Sequence, residues 1–114
     1  MGSGLGNGFG NSHGNKETIR KQLKSLPKNP DNLSKRGWKE TSHPLAKNAG
    51  KRDFVDSKTG LKLRFDKGVK GKSGFRGTDH YHLKNPASTG KSDYYLDING
   101  NPVAKGSPAS HLIP

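Results

Sequence analysis

Residues 74–86 read GFRGTDHYHLKNP, and their second half decides how the chain is laid out. From Asp79 to Lys84, polar and apolar residues alternate with period two, as in a strand with one face in a core. His80, His82 and Lys84 then share one face, and Asp79, Tyr81 and Leu83 share the other. A second stretch upstream behaves the same way: Leu61, Leu63 and Phe65 alternate with Lys62, Arg64 and Asp66. It follows Ser57-Lys58-Thr59-Gly60, which has hairpin-turn chemistry, and residues 52–56 before that turn read as another strand. Residues 94–98 read as a fourth, closed by the turn signal Asn99-Gly100.

Ahead of the strands, Ile19, Leu23 and Leu26 fall at i, i+4 and i+7, one face of a helix. Asn15 suits its N-cap, Glu17 its first turn, and Pro27 its stop. Residues 27–35 read as a loop, and Trp38 as the aromatic anchor of the loop-rich half. The fold class expected is α+β: an N-terminal helix followed by a small antiparallel sheet of about four strands. Residues 1–15 hold no charge and a glycine at nearly every second position. They read as a flexible linker, which leaves 16–114 as the domain. Residues 67–77 carry four glycines and four cations and read as a mobile basic loop.

Composition narrows the partners. Hydrophobic residues make up 26% of 114, so only a small core is expected. Lys and Arg number 21 against 9 Asp and Glu, a net charge of +12. That excess favours a polyanion: nucleic acid, an acidic membrane surface or an acidic protein. No cysteine is present, which excludes a disulfide framework and cysteine-ligated zinc. No apolar run is long enough for a membrane-spanning helix, and a signal peptide's charged and apolar regions are not seen at the start.

Two imidazoles on one strand face can act as general base and general acid, since an unperturbed imidazole titrates at about 6.5. Lys84 can stabilise charge developing on a phosphate. Arg64 offers a bidentate fork to phosphate, and Asp66 can orient a histidine or act as a base, provided the two strands pair. An ordinary solvated strand face accounts for the same pattern. A metal site built from His-x-His and Asp79 is handicapped, because Asp79 points to the other face, so no metal or cofactor is expected. The loop 68–77 lacks Walker spacing. It suits closure over a polyanion backbone through Lys70, Lys72 and Arg76, with Lys62 beside it, and Phe75 either stacks on a base or fills the core. His111 is a further candidate, held by Leu112 and Ile113. The only glutamates, Glu17 and Glu40, lie outside the strand half, so proton transfer falls to imidazoles, or to one imidazole with an aspartate.

Gly74-Phe75-Arg76 followed by Thr78-Asp79-His80-Tyr81 resembles the last-strand pattern of barnase-type ribonucleases. Together with Phe54-x-Asp56-x-x-Thr59-Gly60, Arg64-Phe65-Asp66, Asn85-Pro86 and Tyr95-Leu96-Asp97-x-x-Gly100-Asn101-Pro102-Val103, residues 38–114 resemble the C-terminal toxin domains of bacterial polymorphic toxins. The resemblance implies a nuclease domain of the barnase, EndoU, colicin and RelE kind. Such a domain cleaves RNA without metal by attack of the 2′-hydroxyl. It is carried on a larger delivery protein, acts in the cytoplasm of a target bacterium and is neutralised by an acidic immunity protein. His80 takes the general-acid position. The glutamate base of that pattern is missing, which leaves the base open among His82, His111 and Asp66. A metal-dependent, HNH-like DNase and a non-enzymatic basic binding module are the competing readings.

Overall fold

A computed structural model describes residues 16–114. The glycine-rich stretch, the expected Asn15 cap and the Glu17 side chain lie outside the described residues. The chain is α+β. Its elements are α1 (Lys16–Lys24), a 3-10 helix Pro30–Arg36, β1 (Trp38–Glu40), α2 (Pro44–Asn48), β2 (Lys51–Asp56), β3 (Lys62–Asp66), β4 (His80–Lys84), β5 (Tyr95–Leu96) and β6 (Pro102–Val103). The six strands form one antiparallel sheet in sequence order, two strands more than expected. β1 and β6 are too short to show a period. They pair at the two edges, Trp38 opposite Asp56 and Tyr95 opposite Val103. Residues 30–36 form a 3-10 helix rather than a loop: the Asn29 side chain accepts from the Asp31 amide at 2.9 Å, and Gly37 ends the turn at φ +90°.

The alternation read from sequence governs the sheet. One face buries Trp38, Phe54, Leu63, Phe65, Tyr81, Leu83 and Leu96 against Ile19, Leu23 and Leu33 of the helical layer. Tyr81 is fully buried, donates its hydroxyl to the Pro27 carbonyl at 2.6 Å, and is pushed up to about 12 by burial. At the rim of this layer Glu40 accepts two hydrogen bonds from Arg52, at 2.8 and 2.9 Å. That pairing holds its carboxyl down at about 2, so the one glutamate near the sheet is committed to an ion pair.

Turn chemistry fixes the register. Asp56 is buried, and its carboxylate accepts from the Lys58 amide and the Thr59 hydroxyl at 3.1 and 2.8 Å. Gly60 adopts φ +75° to close the β2–β3 hairpin. Asp97 organises the β5–β6 turn, accepting at one oxygen from the Asn99 and Asn101 amides, both at 2.9 Å. Among the described residues no helix is long and apolar enough to cross a membrane.

Candidate active site

The open face of the sheet carries the polar partners of that alternation. β3 and β4 pair with Arg64 opposite His82 and Asp66 opposite His80, the pairing on which their convergence depended. Asp66 sits at the centre: one carboxylate oxygen accepts from Arg64 at 2.8 Å and lies 3.4 Å from His80 Nε2 and 3.6 Å from His82 Nε2. Burial alone would lower the Arg64 guanidinium, but its hydrogen bond and charge pairing with Asp66 raise it.

His111 arrives from the C-terminus. Leu112 exchanges two 2.8 Å backbone hydrogen bonds with Tyr81, so the terminal segment lies beside β4 like a further strand. The His111 ring thereby stands 4.8 Å from both the His80 and the His82 rings. Leu112 anchors this segment as expected, whereas Ile113 is half exposed and does not.

The three imidazoles differ in their surroundings. His80 Nδ1 lies 2.8 Å from the Thr78 carbonyl. A carbonyl only accepts, so Nδ1 carries the proton and Nε2 is left toward Asp66. His111 Nδ1 likewise donates to the Ser107 and Pro108 carbonyls, at 3.1 and 3.2 Å, which frees its Nε2. His82 is buried and stacked on Tyr95 at 4.6 Å, and its Nδ1 has no hydrogen-bond partner. Burial, then the Arg64 charge, pushes His82 down to about 4, so it is neutral at physiological pH.

The basic loop is pinned rather than loose. Gly68 donates its amide to Asp79 Oδ1 at 2.7 Å, and Val69 donates to the Arg76 carbonyl at 2.7 Å. Gly68 and Gly77 pass each other so closely that a Cβ at Gly68 would lie 2.7 Å from the Gly77 carbonyl. This closure turns Asp79 away from the histidines, as its strand parity requires, and stacks Phe75 on His111 at 4.0 Å. Phe75 is therefore not a core plug: it is one-third exposed at the rim of the cleft.

The resulting cleft of about 440 Å³ is lined by Arg64, Asp66, the three histidines, Phe75 and Tyr95, with Lys51, Lys67, Lys72, Arg76 and Lys105 around them. Lys72 and Arg76 belong to it as expected; Lys70 does not. Lys62 and Lys84 line neighbouring hollows instead, and Lys84 lies over the Tyr94 ring at 5.2 Å. Tyr95, Lys51 and Lys105 had no role in the sequence reading. For Tyr95 the available signal was its parity with Leu96, since on a strand the residue before a core leucine faces the site. The histidine ligand atoms lie within 4.8 Å of one another and could converge on a metal ion. Compared with protein-family models, curated proteins and solved structures, the chain matches none.

Proposed function

We propose that this chain is a metal-independent endoribonuclease, a barnase-like toxin domain delivered into target bacteria on a larger protein and held in check by an acidic immunity protein. The observation that carries the catalytic reading is the pair His80 and His111. Each has Nδ1 tied to a backbone carbonyl and Nε2 left for chemistry, in a basic cleft that also holds the Arg64–Asp66 pair.

His111 Nε2 takes the proton of the RNA 2′-hydroxyl, and O2′ attacks the adjacent phosphorus. The P–O5′ bond breaks as His80 Nε2 gives its proton to the departing O5′, leaving a 2′,3′-cyclic phosphate and a 5′-hydroxyl. Asp66, 3.4 Å from His80 Nε2, orients that ring, and Arg64 stabilises the charge on the phosphoryl oxygens. Neutral His82 packs between Tyr95 and the Asp66 carboxylate and positions both. Asp66 is not assigned the base, since one oxygen is engaged by Arg64 and the other is buried away from the surface.

The test incubates purified protein with total RNA in excess EDTA, alongside His80→Ala and His111→Ala variants checked for folding. Wild-type cleavage to 5′-hydroxyl ends, with each variant slowed by about 10²–10⁴-fold, is the expected result. The three-histidine group favours a second reading, a metal-dependent nuclease. Activity on RNA or DNA that vanishes in EDTA and returns with a divalent ion would replace the first reading with that one.

A further inference from the structure

The histidine cleft does not end at His82. It shares Arg64, His82 and Tyr95 with a second hollow of about 340 Å³, which shares Lys62, Lys84 and Tyr94 with a third of about 570 Å³. Three cavities sharing lining residues therefore follow one another alongside β4.

Aromatic rings follow that row of cavities. Phe75 stacks on His111 at 4.0 Å, His82 on Tyr95 at 4.6 Å, and Tyr95 meets Tyr94 edge-on at 4.9 Å. At its far end Tyr94 carries two ammonium groups, Lys84 Nζ at 5.2 Å and Lys105 Nζ at 4.9 Å from the ring centroid. Lys62 and Lys91 complete the wall, and no carboxylate lines this cavity. The ion pairs among the described residues engage Lys47 and Lys67, not these four lysines. Asp93, next to Tyr94 in sequence, turns its carboxylate onto Thr89, Gly90 and Ser88 and neutralises none of them.

Four uncompensated lysines around one tyrosine, reached from the reacting groups along a row of rings, suit a nucleotide: the phosphate takes the cations and the base takes the ring. We propose that the Tyr94 cavity is a second nucleotide subsite, so that the substrate of the histidine cleft is single-stranded RNA of at least three nucleotides. The proposal rests on the ribonuclease reading for its substrate. The single strand follows from the rings along these cavities, because a base paired in a duplex stacks on its neighbours and cannot lie on a protein ring.

Binding tests this apart from cleavage. Fluorescein-labelled oligodeoxyuridylates, which lack the 2′-hydroxyl and cannot be cleaved by its attack, are titrated at two and at five nucleotides in EDTA, together with a duplex of equal length. The five-mer should bind about tenfold or more tighter than the two-mer and tighter than the duplex. Tyr94→Ala should remove most of that gain. The surface pair Lys91→Gln/Lys105→Gln, which spares the core, should remove part of it and lower the salt slope by about 1–2. Lys35→Gln, on the helical layer, should keep the gain in full. A wild-type affinity indifferent to length, a gain that survives Tyr94→Ala, or equal binding of duplex would each overturn the subsite. A length gain without RNA cleavage would keep the subsite and refute the catalytic reading; cleavage without a length gain would do the reverse.

Discussion

Replacing His82 with glutamine tests whether the cleft holds this imidazole neutral. In the folded chain His82 is pushed from the ordinary 6.5 down to about 4, chiefly by burial and then by Arg64, with His80 and His111 adding to the effect and Asp66 opposing it. The unfolded chain therefore binds a proton that the folded chain refuses between these values. Stability contributed this way is fully present above about pH 6.5 and is lost as pH falls toward 4. The displacement sets a ceiling of roughly 3 kcal/mol. The cleft is open to water on one side, and screening brings this to about 1–2 kcal/mol. In His82→Gln the proton-binding group is gone, and the other titrating groups remain. Urea unfolding at pH 7 and pH 4.5 should show wild type losing about 1–2 kcal/mol more than the variant, at equal m-values. Parallel losses in the two proteins would show that His82 is protonated in the folded cleft, and would remove the reason for giving it no part in proton transfer.

Three further outcomes follow from particular contacts. Tyr81→Phe strands the buried Pro27 carbonyl that accepts its hydroxyl and should cost about 1–2 kcal/mol, read as a fall of several degrees in Tm with cleavage intact below the transition. Gly77→Ala drives a Cβ into the Lys72 carbonyl; it should cost about 2 kcal/mol or more and displace Phe75 from His111, seen as lost protection of the loop amides in hydrogen exchange. Asp66→Asn leaves the half-buried Arg64 without its counter-charge and should destabilise by about 1–2 kcal/mol. The double variant Asp66→Asn/Arg64→Met should recover most of that in denaturant unfolding while leaving RNA cleavage as slow as in Asp66→Asn.

The alternation of residues 61–66 and 79–84 was enough to pair Arg64 with Asp66 and His80 with His82 on the polar side of their own strands; that the two polar sides coincide follows only if Leu63, Phe65, Tyr81 and Leu83 share one core face, since a one-residue slip would flip a strand. The register itself was not legible. It depends on the closure of the intervening loop by Asp79 on Gly68, a contact across eleven residues that reads locally as glycine-rich looseness. Lys84 shares the histidines' parity, yet it falls in the neighbouring hollow, because parity fixes a face and not a position along it. Tyr95 escaped notice since β5 is two residues long, so its parity with Leu96 was the one signal and no repeat reinforced it. His111 was a candidate because Leu112 and Ile113 beside it were expected to hold it to the fold, with no sign of where. What brings it to the cleft is the pairing of Leu112 with Tyr81, a long-range bridge that buries Leu112 and leaves Ile113 outside.

In a chain of net charge +12, the position of its acids says more than the position of its bases. Asp66 is the only carboxylate among the residues lining the histidine cleft, against the cations of Lys51, Arg64, Lys67, Lys72, Arg76 and Lys105. In His82, burial and then the Arg64 charge push the ring down to about 4. His80 and His111 differ from it in having their Nδ1 protons fixed by carbonyls, which gives each a defined reactive nitrogen. Only His80 of these two lies within ion-pair distance of Asp66. One carboxylate thus gives three similar rings different surroundings. Under the proposed ribonuclease reading, the ring with a fixed Nε2 beside that carboxylate is the acid and the ring with a fixed Nε2 outside ion-pair distance of it is the base.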